Sequence, residues 1–593
     1  MLRLPVTLPV TLLLACALTA CGGGDEAAPQ HNFKLRVLHT NDHHSYLDGT
    51  AYDLNLGADT VRLQIGGMAR VAGAIKSLRT ENSLVLNSGE LNGTLYFSLF
   101  RGEADFKLFN EMGLDAYQIG NHEFDEGEAV LANLLALAKF PVLAGNMRPT
   151  ENSPLFGAKL QPYVIKQYGA ERVGVIGVLK VSKTVGSSMV TDAVKFDDEL
   201  QSVKASVAEL QRQGINKIVL LSHLGFDADQ ALTGQLSGVD VIIGGDTHDL
   251  LDHQGELKAL GLTPTGVYPT VKNDSQGKPV YIAQAWEYAR GLGALDVEFN
   301  PAGEVIGAQG RTLLLVDEPY QIKGSKGEFV AATAAQSTEI AKRIAANAGL
   351  RMQQPDAAAD AVLAPYRAQL DHFKTQLIGS VAENMGFERL PTPFEPGQKP
   401  SGSYAAYAVA LSFLSYSPKA DIAIQNAGGV RSAFMQGEFS VADAYTMLPF
   451  SNTIATVQLS GADVHAVLED AADYALNSTS TGAFPYAAYL RFDVVRSAPK
   501  GQRIRNLEIK QRASGRWVPL DLQANYKVVT NSFTALGKDG YTTFATAIAK
   551  NPAVHEDSKV AYVVPLIELF TRHLPGQRLD SLQASEYSLK SVR

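Results

Sequence analysis

From residue 34 to about residue 285 the chain alternates short apolar runs with longer amphipathic ones. The runs are "KLRVLHT" (34–40), "SLVLN" (83–87), "DAYQIG" (115–120), "FPVLAGN" (140–146), "RVGVIGV" (172–178), "KIVLLSH" (217–223), "VDVIIGG" (239–245) and "PVYIAQA" (279–285). They are short and rich in Val, Ile and Leu, which predicts strands buried on both faces. Between them, "SVKASVAELQRQG" sets Val203, Val207 and Leu210 on one stripe and stops at Gly214, the pattern of a helix closed by glycine. Alternation of this kind predicts an α/β layered domain over 34–335. From 336 to 375 the chain turns Ala-rich, and Val362, Tyr366, Leu370 and Phe373 can share one helical face, with Pro365 weakening that helix or marking its start. This stretch reads as a helical connector to a second α/β domain over 376–590.

Length and composition fit that division. At 593 residues the chain exceeds what one core organises. With 46% hydrophobic and 19% charged residues it is globular and not disordered. A net charge of −9 gives no support to a nucleic-acid polymer as partner. Attraction for an anionic substrate must come from a local metal or a few arginines.

The first residues read as an export signal. Arg3 precedes "LPVTLPVTLLLACALTA", which is about as long as a signal-peptide core and short for a membrane span. "LTAC" (Leu18 to Cys21) resembles a bacterial lipoprotein cleavage box, so 1–20 is expected to be removed. Cys21 would then carry lipid, and 21–33 would form a tether. A plain secretory signal with a chance cysteine is the alternative. Loss of Cys16 with the signal would leave no disulfide. The expected location is the bacterial envelope, periplasmic or at the cell surface. Gly22 instead of Asp after Cys21 favours the outer membrane.

Polar clusters follow the apolar runs. "TNDHHS" brings Asp42, His43 and His44; "NSGELNGT" brings Glu90; "GNHEFD" brings Asn121, His122 and Asp125; His223 closes the sixth run; Asp246 and His248 follow the seventh. Ligands of open α/β sheets gather beyond the carboxyl ends of strands. Five clusters there would converge on one crevice. Imidazole and hard oxygen donors without thiolate suit Zn, Mn or Mg, and there are donors enough for two ions. Two ions can clamp the oxygens of a phosphoryl displacement.

"TNDHH", "GNHEFD", "LSHLG" and "IGGDTH" resemble the calcineurin-like metallophosphoesterases. The closer resemblance is to the exported 5′-nucleotidase family, which includes UDP-sugar hydrolases and NAD nucleotidases. In the second half, "NAGGVR" (426–431), "LPFSN" (448–452) and "NSFTALGKDGY" (531–541) resemble that family's nucleotide-binding domain. The resemblance implies two divalent ions (Zn, Mn, Mg or Co). Asp42, His44 and His248 would serve the first, Asn121 and His223 the second, with Glu90 where the family has a bridging Asp. It implies His122 and Asp125 as a catalytic dyad, with water and not a serine or cysteine as nucleophile. Phe450 and Phe533 would sandwich the base and Asp539 would hold the ribose. Asn426, Arg431 and Arg389 would contact the rest of the nucleotide.

Two departures fall on the second metal. The family's "GDxxxGT" is here "GELNGT", with Glu90 for Asp and one residue fewer. Its "GGH" is here "GGD", putting Asp246 where an imidazole is usual. Both changes favour harder ions, Mn or Mg, over Zn. The expected function is a metal-dependent phosphohydrolase of 5′-nucleotides, with UDP-sugars, NAD or 2′,3′-cyclic nucleotides as further substrates. The alternative is a nucleotide-binding surface lipoprotein whose catalysis has weakened through Glu90 and Asp246.

Overall fold

The structure, a computed structural model, describes residues 31–593 apart from Lys326, Ser451 and Thr479. The expected signal peptide, Cys16, Cys21 and most of the tether lie outside the described residues. All eight apolar runs form strands: β1 (Phe33–Asn41), β2 (Ser83–Ser88), β3 (Ala116–Gln118), β4 (Val142–Leu143), β5 (Glu171–Leu179), β6 (Ile218–His223), β7 (Val241–Ile243) and β8 (Pro279–Ala283). β1 to β4 lie side by side and parallel in one sheet. β5 to β8 do the same in a second.

The two sheets face each other. Val37, Leu84 and Leu86 of the first and Val175, Val219 and Ile242 of the second share one core. Both faces of each strand are covered, which explains why the runs lack alternation. Val203, Val207 and Leu210 of the helix Glu199–Arg212 close this core from one side. On the other side, helices Met68–Leu78, Glu103–Met112 and Glu128–Leu137 pack on the outer face of the first sheet. The first sheet extends to eleven strands through Thr50–Leu56, Asp59–Ile65, Gly291–Phe299, the 19-residue Val305–Lys323 and the short strands Leu160–Gln161, Phe329–Ala331 and Leu350–Met352.

The connector is not wholly helical. Its helices Ala334–Ala346 and Ala357–Lys374 flank a strand, Leu350–Met352, that pairs in parallel with Leu314–Val316 of the first sheet. Pro365 lies inside the second helix. That helix buries Ala359, Leu363, Tyr366 and Leu370 in the N-terminal core, so it belongs to that domain's body.

The second domain is built on a five-stranded mixed sheet. Its centre is β9 (Ile422–Asn426) beside β10 (Asn525–Asn531), flanked by Pro485–Ala488, Thr453–Ser460 and His555–Ala561. Helices Tyr404–Tyr416 and Gly461–Asn477 cover it, the latter started by a reciprocal Ser460–Asp463 cap. No helix among the described residues is long and apolar enough to cross a membrane.

Candidate active site

The parallel registers end the strands at a common level: Asn41 opposite Ser88 in the first sheet and Leu179 opposite His223 in the second. Each chain then turns sharply. Asp42 (φ 48°), His44 (φ 46°), Asp246 (φ 80°) and His248 (φ 60°) all take positive φ. For residues with a Cβ this costs on the order of 1–3 kcal/mol each, a concentration of strain typical of functional loops.

These turns aim side chains at one point. One donor atom each from Asp42, His44, Glu90 and His248 lies within 4.8 Å of the others. His44 Nε2 is 3.1 Å from His248 Nε2, and His223 Nε2 is 3.2 Å from Glu90 Oε2. The other ring nitrogens are committed outward. His44 Nδ1 is 2.9 Å from the Asn92 carbonyl, His223 Nδ1 is 2.8 Å from the Ser88 carbonyl, and His248 Nδ1 is 2.8 Å from Glu287 Oε2. Those partners only accept, so each Nδ1 carries the proton and each Nε2 turns a lone pair inward. Gly120 permits the approach, since a Cβ there would stand 2.5 Å from His223 Nε2 and 2.7 Å from Glu90 Oε2.

Burial and neighbouring charge set the protonation of these groups. Burial raises the Asp42 carboxyl above the usual range despite the nearby His248 and His223. Burial also holds His44 neutral, well below its ordinary value. Burial alone would lower His223; the adjoining Glu90 carboxylate overrides it and pushes the imidazole up to about 10. Asn121 offers a further test: it is buried, and neither atom of its amide has a hydrogen-bond partner. An orphaned amide beside converging lone pairs fits a metal centre.

His122 stands at the rim. Its Nδ1 is 2.5 Å from Asp125 Oδ2 and its Nε2 is 3.8 Å from Glu90 Oε1. Asp125 also accepts from Asn92 Nδ2 at 2.5 Å, which fixes the carboxylate. The loop itself is pinned by Glu123, whose buried carboxylate accepts from the backbone of Leu91 and Gly120 and from the Tyr117 hydroxyl. His43 turns away and pairs with buried Asp105 at 3.0 Å.

Asp246 has company that the sequence reading missed. Its Oδ1 takes the Lys183 ammonium and its Oδ2 lies 3.5 Å from Lys180 Nζ, while His223 Nε2 is 4.0 Å away. Both lysines follow the end of β5, so the strand-end rule that found the other clusters points to them as well. Asn92, Glu123 and Glu287 were also missed. Asn92 and Glu287 act through hydrogen bonds to His44, Asp125 and His248, Glu123 through bonds to loop backbone and Tyr117, and no spacing marks them.

A cavity of about 450 Å³ opens from this centre toward the second domain. His44, Glu90, Asn121, His122, Asp125, Asp246 and His248 line one end, while Asn426, Phe533 and Asp539 line the other. Asp539 takes positive φ (52°) and accepts from Asn426 Nδ2 at 3.0 Å. Phe450 stacks toward His122, ring centroids 6.3 Å apart, and carries the Arg431 guanidinium 5.7 Å over its face. Arg389 also lines the cavity, and burial, with Arg431 nearby, pushes it down to about 10. Neither arginine has an ion-pair partner among the described residues, so both present charge to an anion. Of the residues singled out from the sequence, Asp42, His43 and His223 do not reach the cavity wall; all three lie buried behind it.

Residues 386–546 match the family described as 5′-nucleotidase, C-terminal domain. Across the whole chain, a Treponema pallidum (strain Nichols) protein named "Probable 5′-nucleotidase" is 38% identical over 574 residues, 94% of this chain and 95% of that one. The NAD 5′-nucleotidase of Haemophilus influenzae is 35% identical over 538 residues, 89% of each chain. Among solved structures, the 5′-nucleotidase precursor from Thermus thermophilus aligns with a TM-score of 0.74 at 30% identity, covering 93% of this chain and all of that one. Similarity on this scale extends over both domains, and the chain belongs to the 5′-nucleotidase family: a hydrolase of the metallophosphoesterase type, with an N-terminal phosphoesterase domain and a C-terminal nucleotidase domain.

Proposed function

We propose that the enzyme releases phosphate from 5′-nucleotides by attack of water at phosphorus, and that it depends on divalent metal for this. The observation that carries the reading is the shared cavity: the His122–Asp125 pair opens into the same chamber as Phe450, Phe533 and Asp539. Metal bound by Asp42, His44, Glu90 and His248 would supply positive charge to the phosphoryl oxygens and acidify a water. Arg389 and Arg431 attract the anionic substrate and orient it. Phe450 and Phe533 offer π faces to the base, and Asp539 offers carboxylate oxygens to the ribose hydroxyls. His122 donates from Nε2 to the phosphoryl group and gives its proton to the departing 5′-oxygen. Asp125 orients the ring and stabilises its charged form through Nδ1.

The test is phosphate release from AMP by chelator-stripped protein, with Mn, Mg, Zn or Co returned singly. Turnover restored by at least one ion is expected. Retained adenosine binding without turnover under any ion would refute the reading. The relative named NAD 5′-nucleotidase supports the pyrophosphate of NAD as a second substrate; UDP-sugars and 2′,3′-cyclic nucleotides belong in the same screen. Export and lipid anchoring at Cys21 complete the proposal, supported by the "LTAC" box. Cys21→Ser should move the protein from the membrane to the soluble fraction, and an unchanged distribution would refute the anchor.

A further inference from the structure

The residues around the second metal position do not form the set that two ions need. Asp246, which the family resemblance assigns to that position, is already engaged. Lys183 Nζ contacts its Oδ1, Lys180 Nζ lies 3.5 Å from its Oδ2, and its own backbone N–H donates to Asp42 Oδ1 at 2.9 Å. The four-residue group whose donors converge is Asp42, His44, Glu90 and His248; Asp246 and His223 are outside it. Lys183 is no stray surface lysine. Its side chain is 19% exposed, and it lines the cavity. An ammonium locked to Asp246, one contact from His223, repels a dication at that spot and supplies positive charge in its place.

We propose that this centre takes one tightly held divalent ion, in the Asp42–His44–Glu90–His248 group, and that the Lys183 ammonium, seated on Asp246, replaces the second ion as the cation that meets a phosphoryl oxygen. The departure at Asp246 then has an explanation: it serves a lysine, and a neutral imidazole would offer that ammonium no negative charge. The inference rests on the cavity being a phosphohydrolase site, yet its test needs no turnover.

Chelator-stripped full-length protein is titrated with Mn²⁺, and bound metal is counted after desalting. Inorganic phosphate binding to the Mn²⁺-loaded protein is then measured by calorimetry for wild type, Lys183→Met and Lys183→Arg, with Lys183→Gln replacing the first if it fails to fold. One retained equivalent in wild type, with phosphate binding at least tenfold weaker in Lys183→Met and within threefold of wild type in Lys183→Arg, is expected. Two retained equivalents in wild type, or phosphate binding unchanged by Lys183→Met, overturns the proposal. If one equivalent binds but AMP is never hydrolysed, the substrate assignment fails and the one-ion centre stands.

Discussion

Glu287 touches no proposed substrate, yet it should tune the metal affinity of the centre. Its Oε2 is 2.8 Å from His248 Nδ1, and its Oε1 is 2.6 Å from Arg290 Nη1. Glu287→Gln preserves an acceptor of the same shape but removes the charge. A hydrogen bond to a charged acceptor contributes about 1.5–3 kcal/mol, and a neutral one about 0.5–1.5. The difference, about 1.5 kcal/mol, is about tenfold in affinity. It lies at the low end of the roughly 10- to 100-fold seen when partners of metal-bound histidines are changed. The ring should keep its place, because His248 also packs edge-on against Tyr288, centroids 5.6 Å apart. The assay is competition between stripped protein and a chromophoric chelator for Mn²⁺. An affinity within twofold of wild type would refute the reasoning. So would an affinity loss matched by an equal loss of stability in the metal-free protein, because the carboxylate would then only prop the loop.

Three other outcomes are expected. Phe450→Ala should raise the KM for AMP about fivefold to a hundredfold, the worth of about 1–3 kcal/mol of base stacking; a change confined to kcat would contradict the stacking role. Asp229 is fully buried, and burial pushes its carboxyl up to about 7 despite the hydrogen bond from Ser222. The folded chain therefore keeps this proton where the unfolded chain, titrating near 4, has lost it. The resulting stability is complete below about pH 4 and is lost as pH rises to about 7, to a ceiling of about 4 kcal/mol. Asp229→Asn should show a shallower decline in denaturant titrations between pH 4.5 and 8, and parallel curves would exclude the effect. Finally, removing metal should lower the melting temperature by about 2–4 °C relative to protein at a hundredfold excess over Kd, from about 2.7 kcal/mol of binding linkage spread over so long a chain; calorimetry with and without chelator reads it directly.

Much of this site was visible in the sequence because strands buried on both faces announce themselves as unbroken apolar runs, and the polar residues that follow them fall at one end of a sheet. That reasoning brought Asp42, Glu90, Asn121, His223 and His248 together from distant parts of the chain. It failed where the side chain's direction mattered. His43 and His44 are neighbours in "NDHH", and strand ends alone do not choose between them: the family resemblance named His44, which turns to the centre, while His43 turns to Asp105. It failed again where the residue type is common: a lysine after a strand is usually solvated, and only the fold places Lys183 against Asp246. The strand Leu350–Met352 was hidden in an Ala-rich helical stretch because three residues carry no period. Pairing with Leu314–Val316 decides its conformation, an example of tertiary contacts overriding local preference.

Glu123 sits inside "GNHEFD", chemically equal to its neighbours as a ligand, and spends its carboxylate on two backbone amides and a tyrosine. It works as a rivet joining two loops. A designer transplanting only the donor atoms of this centre to another scaffold would leave it behind, and would obtain the right atoms on loops free to drift apart.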